Sequence, residues 1–484
     1  MRVMPSSGQP QRPDRASGDR RSGDRAGSER RTRAQQPTPD VLDNDYRPDT
    51  DPTRPVPEAP EWKPAPKKGR GWPLLDKLGD RIDELTEKDD PIYTEKVHEQ
   101  IVPLMESDFV LTKGPIDTPF LLIVTALAVF GAVMAYSASS VYAAQYHGDS
   151  AYYVKRHILY LVLAYAVTAV FVIMARPWFW RMFGVASYAL SVVLLLLVLV
   201  IGSSYGSGAT RWIQIGPLSL QPSEIAKMSV ILVISLIMTK YEKQIAKKQK
   251  FGGSFFYGVL YPMLVFGLIC GLVMLEHHLS GIIIIGLLGI VTMFLGGTDK
   301  KWFYIIFGVG IVAVLAVLLV SDYAQTRVTT WLNIDAVDPL GAAWQTLQGL
   351  YAIGSGGFFG VGLGNSRQKY GYVSQPQNDF IFTIICEELG FIGALLVVIL
   401  FGLLVWRGFR IASKAPDKFT ALTVYGLTAK VALQTILNIA VVTNSMPNTG
   451  ISLPFFSSGG TSLMLQIFEM GIILNISRYS YEKR

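Results

Sequence analysis

Ten long, nearly uncharged apolar stretches constrain this chain more than any other feature. They run over about 119–139, 157–175, 183–202, 222–239, 254–275, 280–297, 302–321, 380–405, 419–443 and 459–477. Crossing a bilayer takes about 20 mainly apolar residues in a helix. In hydrocarbon each segment must satisfy its own backbone N–H and C=O groups, so these are expected to be helices rather than strands. The fold class that follows is an all-α polytopic membrane protein with about ten transmembrane helices.

Charge in the short connections sets the expected orientation, because Lys and Arg are retained on the cytoplasmic side. With the N-terminus placed inside, the inner connections and the chain end hold 16 Lys and Arg, among them Lys240, Lys243, Lys300, Lys301, Arg407 and Arg410. The outer connections hold six: Lys155, Arg156, Arg211, Arg327, Arg367 and Lys369. Both termini are therefore expected in the cytoplasm. Residues 322–379, between the seventh and eighth spans, form a large extracytoplasmic loop, and a loop of that length is usually functional.

Residues 1–115 are a different material. They carry 20 Lys+Arg against 22 Asp+Glu, net −2, and the remaining chain carries 24 against 15, net +9. Such a split excludes a single soluble globular domain. It also removes the nucleic-acid reading of the sequence pI of about 9.1, since the excess positive charge belongs to the membrane part. Residues 1–70 are too poor in apolar side chains to offset the entropy of ordering and are expected to be disordered. Nine Arg in the first 33 residues suit either a soluble arm or contact with anionic membrane lipid. Leu74, Leu75, Leu78, Ile82 and Leu85 recur at helical spacing, which predicts a short amphipathic helix near 74–90. The first apolar run begins near Phe120, so no signal peptide is expected. The domain reading is thus a cytoplasmic tail over 1–115 and a ten-helix body over 116–484.

Four polar constellations interrupt the apolar pattern. The first is Arg211-Trp212-Ile213 followed by Gln221-Pro222-Ser223-Glu224 and Lys227. Trp212 suits a membrane interface or a ligand, and Arg211 suits a phosphate. Glu224 and Lys227 are three residues apart, share a helix face, and read as a structural ion pair, since either alone would be costly in a membrane. The second is the glycine-dense run 352–366, including Ser355 and Gly356, followed by Arg367 and Lys369. Its glycines permit close backbone approach to a ligand, and the two cations suit a pyrophosphate. Read as part of the outer loop, it lies outside the membrane.

Asp379-Phe380-Ile381-Phe382, followed by Glu387-Glu388-Leu389-Gly390, is the third. Asp379 stands where the outer loop enters the eighth span. It suits a desolvated general base, but its chemistry alone favours a helix N-cap, and the two roles can coexist. The fourth runs from Met446 through Pro447, Asn448, Thr449 and Gly450 to Ser457, Ser458 and Ser462, an uncharged lining for a polar outer pocket. Lys430 and Glu469 lie inside spans and need partners that spacing does not reveal. Cys270 and Cys386 also fall inside spans. No GxxxxGK[ST] nucleotide loop is present, and no dedicated metal-ligand cluster is evident.

These four blocks, in this order on ten apolar stretches, resemble the SEDS family (shape, elongation, division and sporulation). The runs at 130–140 and 365–382 look most like its cell-division FtsW type. The resemblance covers roughly residues 116–480 and leaves out the tail. It implies a peptidoglycan glycosyltransferase that polymerises lipid II into β-1,4 glycan on the outer face of the cytoplasmic membrane. Undecaprenyl-pyrophosphate-linked glycan would be the donor. It places the essential carboxylate at Asp379 as general base. Arg211, Trp212, Arg367 and Lys369 become substrate-binding candidates, with Ser355, Gly356 and Ser458 lining the pocket and Arg327 a weaker candidate. A divalent cation, Mg2+ or Mn2+, would be able to share the charge. Implied partners are a class B penicillin-binding protein on the eighth and ninth spans and other divisome proteins, at the division septum. Alternatives of another kind are a lipid II flippase and a non-catalytic divisome scaffold. Two departures from the family pattern stand out: 374–378 lacks the usual acid before Asp379, and Glu276-His277-His278 replaces an acidic pair after the fifth span.

Overall fold

The structure, a computed structural model, describes residues 109–202, 211–215, 218–246, 253–334, 338, 340–341, 343–457 and 460–483. The amphipathic helix expected near 74–90, residues 1–108 of the tail, and Ser458 lie outside the described residues.

Helices stand at all ten apolar stretches: α1 (Thr118–His147), α2 (Tyr152–Met174), α3 (Phe179–Ile201), α4 (Pro222–Lys240), α5 (Gly253–Leu275), α6 (Leu279–Leu295), α7 (Lys300–Val320), and then, beyond the long connection, three more. That connection is itself partly helical, with α8 (Asp322–Leu332) and α9 (Trp344–Gly356). The last three are α10 (Ile381–Ala412), α11 (Lys418–Val442) and α12 (Gly460–Ser477). Among the described residues, eight of these are long and apolar enough to cross a membrane by length and composition; α6 is a shorter apolar helix of 17 residues. The chain is a polytopic all-α membrane protein. Among the described residues, sheet is limited to two short antiparallel pairs. Strand β1 (Phe109–Lys113) pairs with β4 (Tyr479–Lys483), joining the two ends of the described chain, and β2 (Ile213–Ile215) pairs with β3 (Leu218–Leu220) just after Trp212.

Helices α4, α11 and α12 are buried along most of their length and form the centre, whereas α2, α3 and α5 leave most of their surface exposed. Lipid is as apolar as Leu, so contacts inside such a bundle come from close packing and interhelical hydrogen bonds. Asn475 on α12 shows both. Its Oδ1 accepts from Trp180 Nε1 at 2.7 Å, and its Nδ2 donates to the Val172 and Ala175 carbonyls at 3.0 and 2.8 Å. One side chain thereby fastens α2, α3 and α12. Gly131 lets α1 lie against the Phe455 carbonyl, where any Cβ would overlap it.

Charged pairs mark one end of the bundle. At the end of the bundle holding the N-terminus of α1, Asp117 caps Phe120 N at 2.9 Å and takes two hydrogen bonds from Arg407 Nε and one, at 2.8 Å, from Arg407 Nη2. Arg181 meets Asp417 at 2.8 Å at the same end. Asp379, Arg327, Arg211 and the 444–457 connection belong to the opposite ends of their helices.

Helix α10 is interrupted. Gly390 has φ +66° and ψ −164° inside it. The break frees carbonyls and amides, and the segment after α9 takes them up. Val361 N and Gly362 N donate to the Glu387 and Glu388 carbonyls at 2.9 and 3.0 Å, and Phe391 N donates to the Gly357 carbonyl at 3.0 Å. Irregular backbone within an apolar span persists only where protein satisfies it in this way. The glycine-dense block is therefore ordered against α10 rather than being irregular loop throughout. Residues 344–356 are helix, and 357–362 bond to Glu387, Glu388 and Phe391 of α10, two to three turns beyond its start at Ile381.

Candidate active site

The Asp379 turn is held from two sides. Asn438 Nδ2, from the C-terminal end of α11, donates to the Asp379 carbonyl at 2.7 Å and to the Ile451 carbonyl at 2.7 Å. Ser457 Oγ donates to the Asn378 carbonyl at 2.7 Å and accepts from Leu453 N at 2.9 Å. The connection between α11 and α12 thus wraps the residue. Gly450 (φ +69°) comes so close that a Cβ there would lie 3.2 Å from Asp379 Oδ2. Burial pushes the Asp379 carboxyl above the usual carboxylate range, and the positive charge of Arg327 opposes that rise. Asp379 does not cap α10: the N-cap position is Phe380, with no side-chain cap bond. Of the two roles open from sequence, the geometry leaves the carboxyl available for chemistry.

Arg327 projects from α8 and donates through Nη1 to the Asn448 carbonyl. Trp331, one turn on, donates to the Asn444 carbonyl at 3.0 Å, so α8 is docked on the same 444–450 segment that approaches Asp379. The weaker cationic candidate from sequence is the one whose charge reaches Asp379.

The other candidates are placed differently. Lys369, expected to face a ligand, is turned inward. It is 4% exposed, and its Nζ lies 3.1 Å from Glu388 Oε1 and 2.5 Å from the Gly364 carbonyl. A buried carboxylate competes for the ammonium and wins, because Glu388 would otherwise be left without a countercharge. Glu388 also accepts from Ser137 Oγ on α1 at 2.6 Å, and Glu387 accepts from Ser366 Oγ at 2.5 Å and Arg367 N at 2.9 Å. These two acids clamp the 364–369 segment to α1 and α10, a role that sequence reasoning missed. The side chain of Arg367 is exposed. Ser355 Oγ is turned back to the Ala352 carbonyl at 3.0 Å. Gly356, expected near a ligand, packs against the backbone of α10, where a Cβ would overlap the Cys386 carbonyl.

Arg211 and Trp212 stand on the α3–α4 connection beside the turn between α5 and α6. Arg211 Nη2 donates to the His277 carbonyl at 2.5 Å. Behind them lies a buried charge network. Lys227 Nζ is 2.6 Å from Glu224 Oε1, and Lys430 Nζ is 2.6 Å from Glu469 Oε1 and 3.9 Å from Glu224 Oε2. The partners that Lys430 and Glu469 lacked in sequence are each other. Glu224 also lines a small cavity together with Gln434, Ser457, Ser462 and Gln466, which adjoins the Asp379 turn through Ser457. Among the described residues no group of three or more His, Cys, Asp or Glu is placed to hold a metal ion. These described residues do not form a protein cage for a divalent cation.

The profile of the FtsW/RodA/SpoVE family, described as cell cycle proteins, matches residues 118–482. The chain belongs to this family. Its relatives include stage V sporulation protein E of Bacillus subtilis (strain 168), 39% identical over 75% of this chain and 97% of that protein. Another is the probable peptidoglycan glycosyltransferase FtsW of Trichlorobacter lovleyi, 37% identical over 75% of this chain and 93% of that protein. Among solved structures, a chain of a peptidoglycan synthase complex, described for its coordination of polymerization and crosslinking, aligns with TM-score 0.61 and 25% identity over 75% of this chain and 98% of its own. The rod shape determining protein RodA of Thermus thermophilus aligns with TM-score 0.55 and 25% identity over 75% of this chain and 97% of its own.

Proposed function

We propose that this FtsW/RodA/SpoVE-family member is a peptidoglycan glycosyltransferase that polymerises lipid II on the outer face of the cytoplasmic membrane, with Asp379 as general base. The observation that carries the reading is the pairing of a desolvated carboxyl with one nearby guanidinium: Asp379 is pinned by Asn438, and Arg327 is pinned by Asn448. A sugar hydroxyl is a weak nucleophile, and a carboxylate positioned to take its proton assists attack on the anomeric carbon. As the glycosidic bond forms, the bond from that carbon to the pyrophosphate breaks and negative charge collects on the leaving oxygens. A cation fixed beforehand stabilises that charge without reorganising. Arg327 holds that position, ahead of Arg367 and Lys369. Any Mg2+ or Mn2+ would enter with the pyrophosphate oxygens, which suit hard cations.

The rest of the assignment follows from the same reading. The end of the bundle bearing Asp379 faces outward and the Asp117–Arg407 end inward, as the Lys/Arg bias requires. A crosslinking partner, a class B penicillin-binding protein, packs its span on α10 and α11, where Leu396, Leu403, Trp406 and Ile436 are exposed. The tail, residues 1–115, serves location or recruitment of divisome proteins. Both division and sporulation relatives match, and the division septum is the site we assign.

The test is reconstitution with the partner and labelled lipid II, resolved on a gel. Glycan polymer supports the assignment. Lipid II crossing the vesicle bilayer with no polymer identifies a flippase instead.

A further inference from the structure

The amphipathic stretch at 74–90 is as uneven in charge as in apolarity. It holds seven acids against Lys77, Arg81 and Lys88, net −4. At 3.6 residues per turn, Leu74, Leu75, Leu78, Ile82 and Leu85 fall within about 100° of one another. Asp76, Asp80, Asp83, Glu84 and Glu87 fall on the opposite face. A helix of this sign is a poor ligand for a bilayer surface, whose anionic lipids attract basic segments and repel acidic ones. Its apolar face needs cover, and its acidic face needs a basic partner.

The body carries such a partner on the same side. No span separates 74–90 from α1, so the segment belongs to the end of the bundle that holds Asp117. At that end α4 finishes at Lys240, α5 begins at Gly253, α6 finishes at Leu295 and α7 begins at Lys300. The stretches 240–250 and 298–302 hold seven lysines against two acids, Glu242 and Asp299. Both acids are engaged already: Glu242 pairs with Lys418 at 3.0 Å, and Asp299 with Lys301 at 2.9 Å. Lys240, Lys243 and Lys300 are exposed and make no ion pair among the described residues. Beside them Phe256, Leu260 and Tyr261 expose an apolar strip on the first turns of α5. The ledge is firmly built. Gly253 lies so close to the short helix Glu242–Ala246 that a Cβ there would stand 2.8 Å from Gln244 Cβ. Thr298 Oγ1 donates to the Gly258 carbonyl at 2.8 Å, which fastens the α6–α7 turn to α5.

We infer that residues 74–90 of the chain's own tail dock as an amphipathic helix on this ledge. Their apolar face covers Phe256, Leu260 and Tyr261, and the lysines of the two connections meet their acidic face. The flexible four-carbon stem of a lysine carries its charge around a helix lying beside it. Residues 91–108 join the segment to β1, and 18 extended residues reach about 60 Å. That is several helix widths at about 8–10 Å per packed pair, so the ledge is within reach of the chain. The contact anchors the tail to the α4–α7 side of the body. Exposed charges are screened beyond about 10 Å at 0.1 M salt and about 3 Å at 1 M, so the docking is sensitive to salt. None of this depends on which residue serves as base.

The experiment uses the full chain in nanodiscs of zwitterionic phosphatidylcholine. It reads backbone hydrogen exchange over 74–90 and maps carbodiimide cross-links between carboxylates and lysines. In wild type, exchange over 74–90 is expected to be about tenfold slower at 0.1 M salt than at 1 M. Cross-links are expected from the acids of 76–87 to Lys240, Lys243 and Lys300, in preference to Lys113 or Lys414. The triple variant Lys240→Glu, Lys243→Glu and Lys300→Glu is expected to lose the protection. Adding Asp80→Lys, Asp83→Lys and Glu84→Lys to it is expected to bring the protection back. That charge swap separates lost attraction from a damaged fold. Exchange as fast in wild type as in the triple variant overturns the inference, and so do cross-links spread evenly over the lysines of this end. Protection that survives the lysine reversal means that the bilayer holds the segment, and overturns it as well.

Discussion

The side-chain amide nitrogen of Asn438 donates to the backbone carbonyl of Asp379 at 2.7 Å from the C-terminal end of a largely buried helix. The same nitrogen reaches the Ile451 carbonyl, so one side chain sets the position of the carboxyl-bearing turn relative to the 448–457 connection. Asn438→Ala leaves both carbonyls without that donor, each buried unpaired group costing about 1–3 kcal/mol. Polymerisation is expected to fall about tenfold or more while the purified protein keeps its helical circular dichroism. Wild-type turnover by Asn438→Ala would remove Asn438 from the positioning role.

Arg327 and Arg367 separate by substitution. Losing one preorganised donor to a developing anion typically costs on the order of 10²–10³ in kcat. Arg327→Ala is expected to show a loss of that order, and Arg367→Ala, whose side chain is exposed, a change of less than about threefold. Initial rates on labelled lipid II measure both. Equal losses would mean that the pyrophosphate is held at Arg367 as firmly as at Arg327.

The pH profile carries a sign. Burial raises the Asp379 carboxyl above its ordinary value near 4, and a general base works only when deprotonated. The rate therefore rises with pH through this raised pKa and is lost on acidification. Arg327 holds the pKa down, so Arg327→Ala is expected to move the acid limb toward higher pH, apart from its effect on the plateau. An acid limb that stays fixed in the variant would uncouple the two residues.

The Lys430–Glu469 pair is fully buried, with Glu224 and Lys227 completing a neutral group of four charges. Breaking a buried pair by removing one member strands the other and costs about 3–5 kcal/mol, while removing both can be near neutral. Lys430→Met is expected to lower the melting temperature sharply in detergent, and Lys430→Met with Glu469→Leu to recover most of the loss. A double variant no more stable than the single would show that the pair acts through its neighbours instead.

The positions of the helices were legible because long apolar runs have one solution in a bilayer, and Asp379 stood out as a carboxylate at the mouth of such a run. Less legible was everything decided between distant segments. The break at Gly390 hides inside an apolar run, and only the inserted 357–362 backbone makes it tolerable. Lys369 lies in a basic outer stretch, yet Glu388, nineteen residues later, draws it inward. Lys430 and Glu469 lie 39 residues apart on different helices, a pairing that helical spacing cannot expose. Arg327 looked isolated until α8 docked on the 444–448 segment.

The central claim is that Asp379 takes the proton of the acceptor hydroxyl, and its most direct test is Asp379→Asn. This substitution keeps the shape of the side chain and the Asn438 bond to the backbone carbonyl, and removes only the basic oxygen. The measurement is the initial rate of glycan formation from labelled lipid II by the reconstituted complex with its partner. The account predicts no detectable polymer from Asp379→Asn while lipid II binding is retained. Polymer formed at the wild-type rate would contradict it.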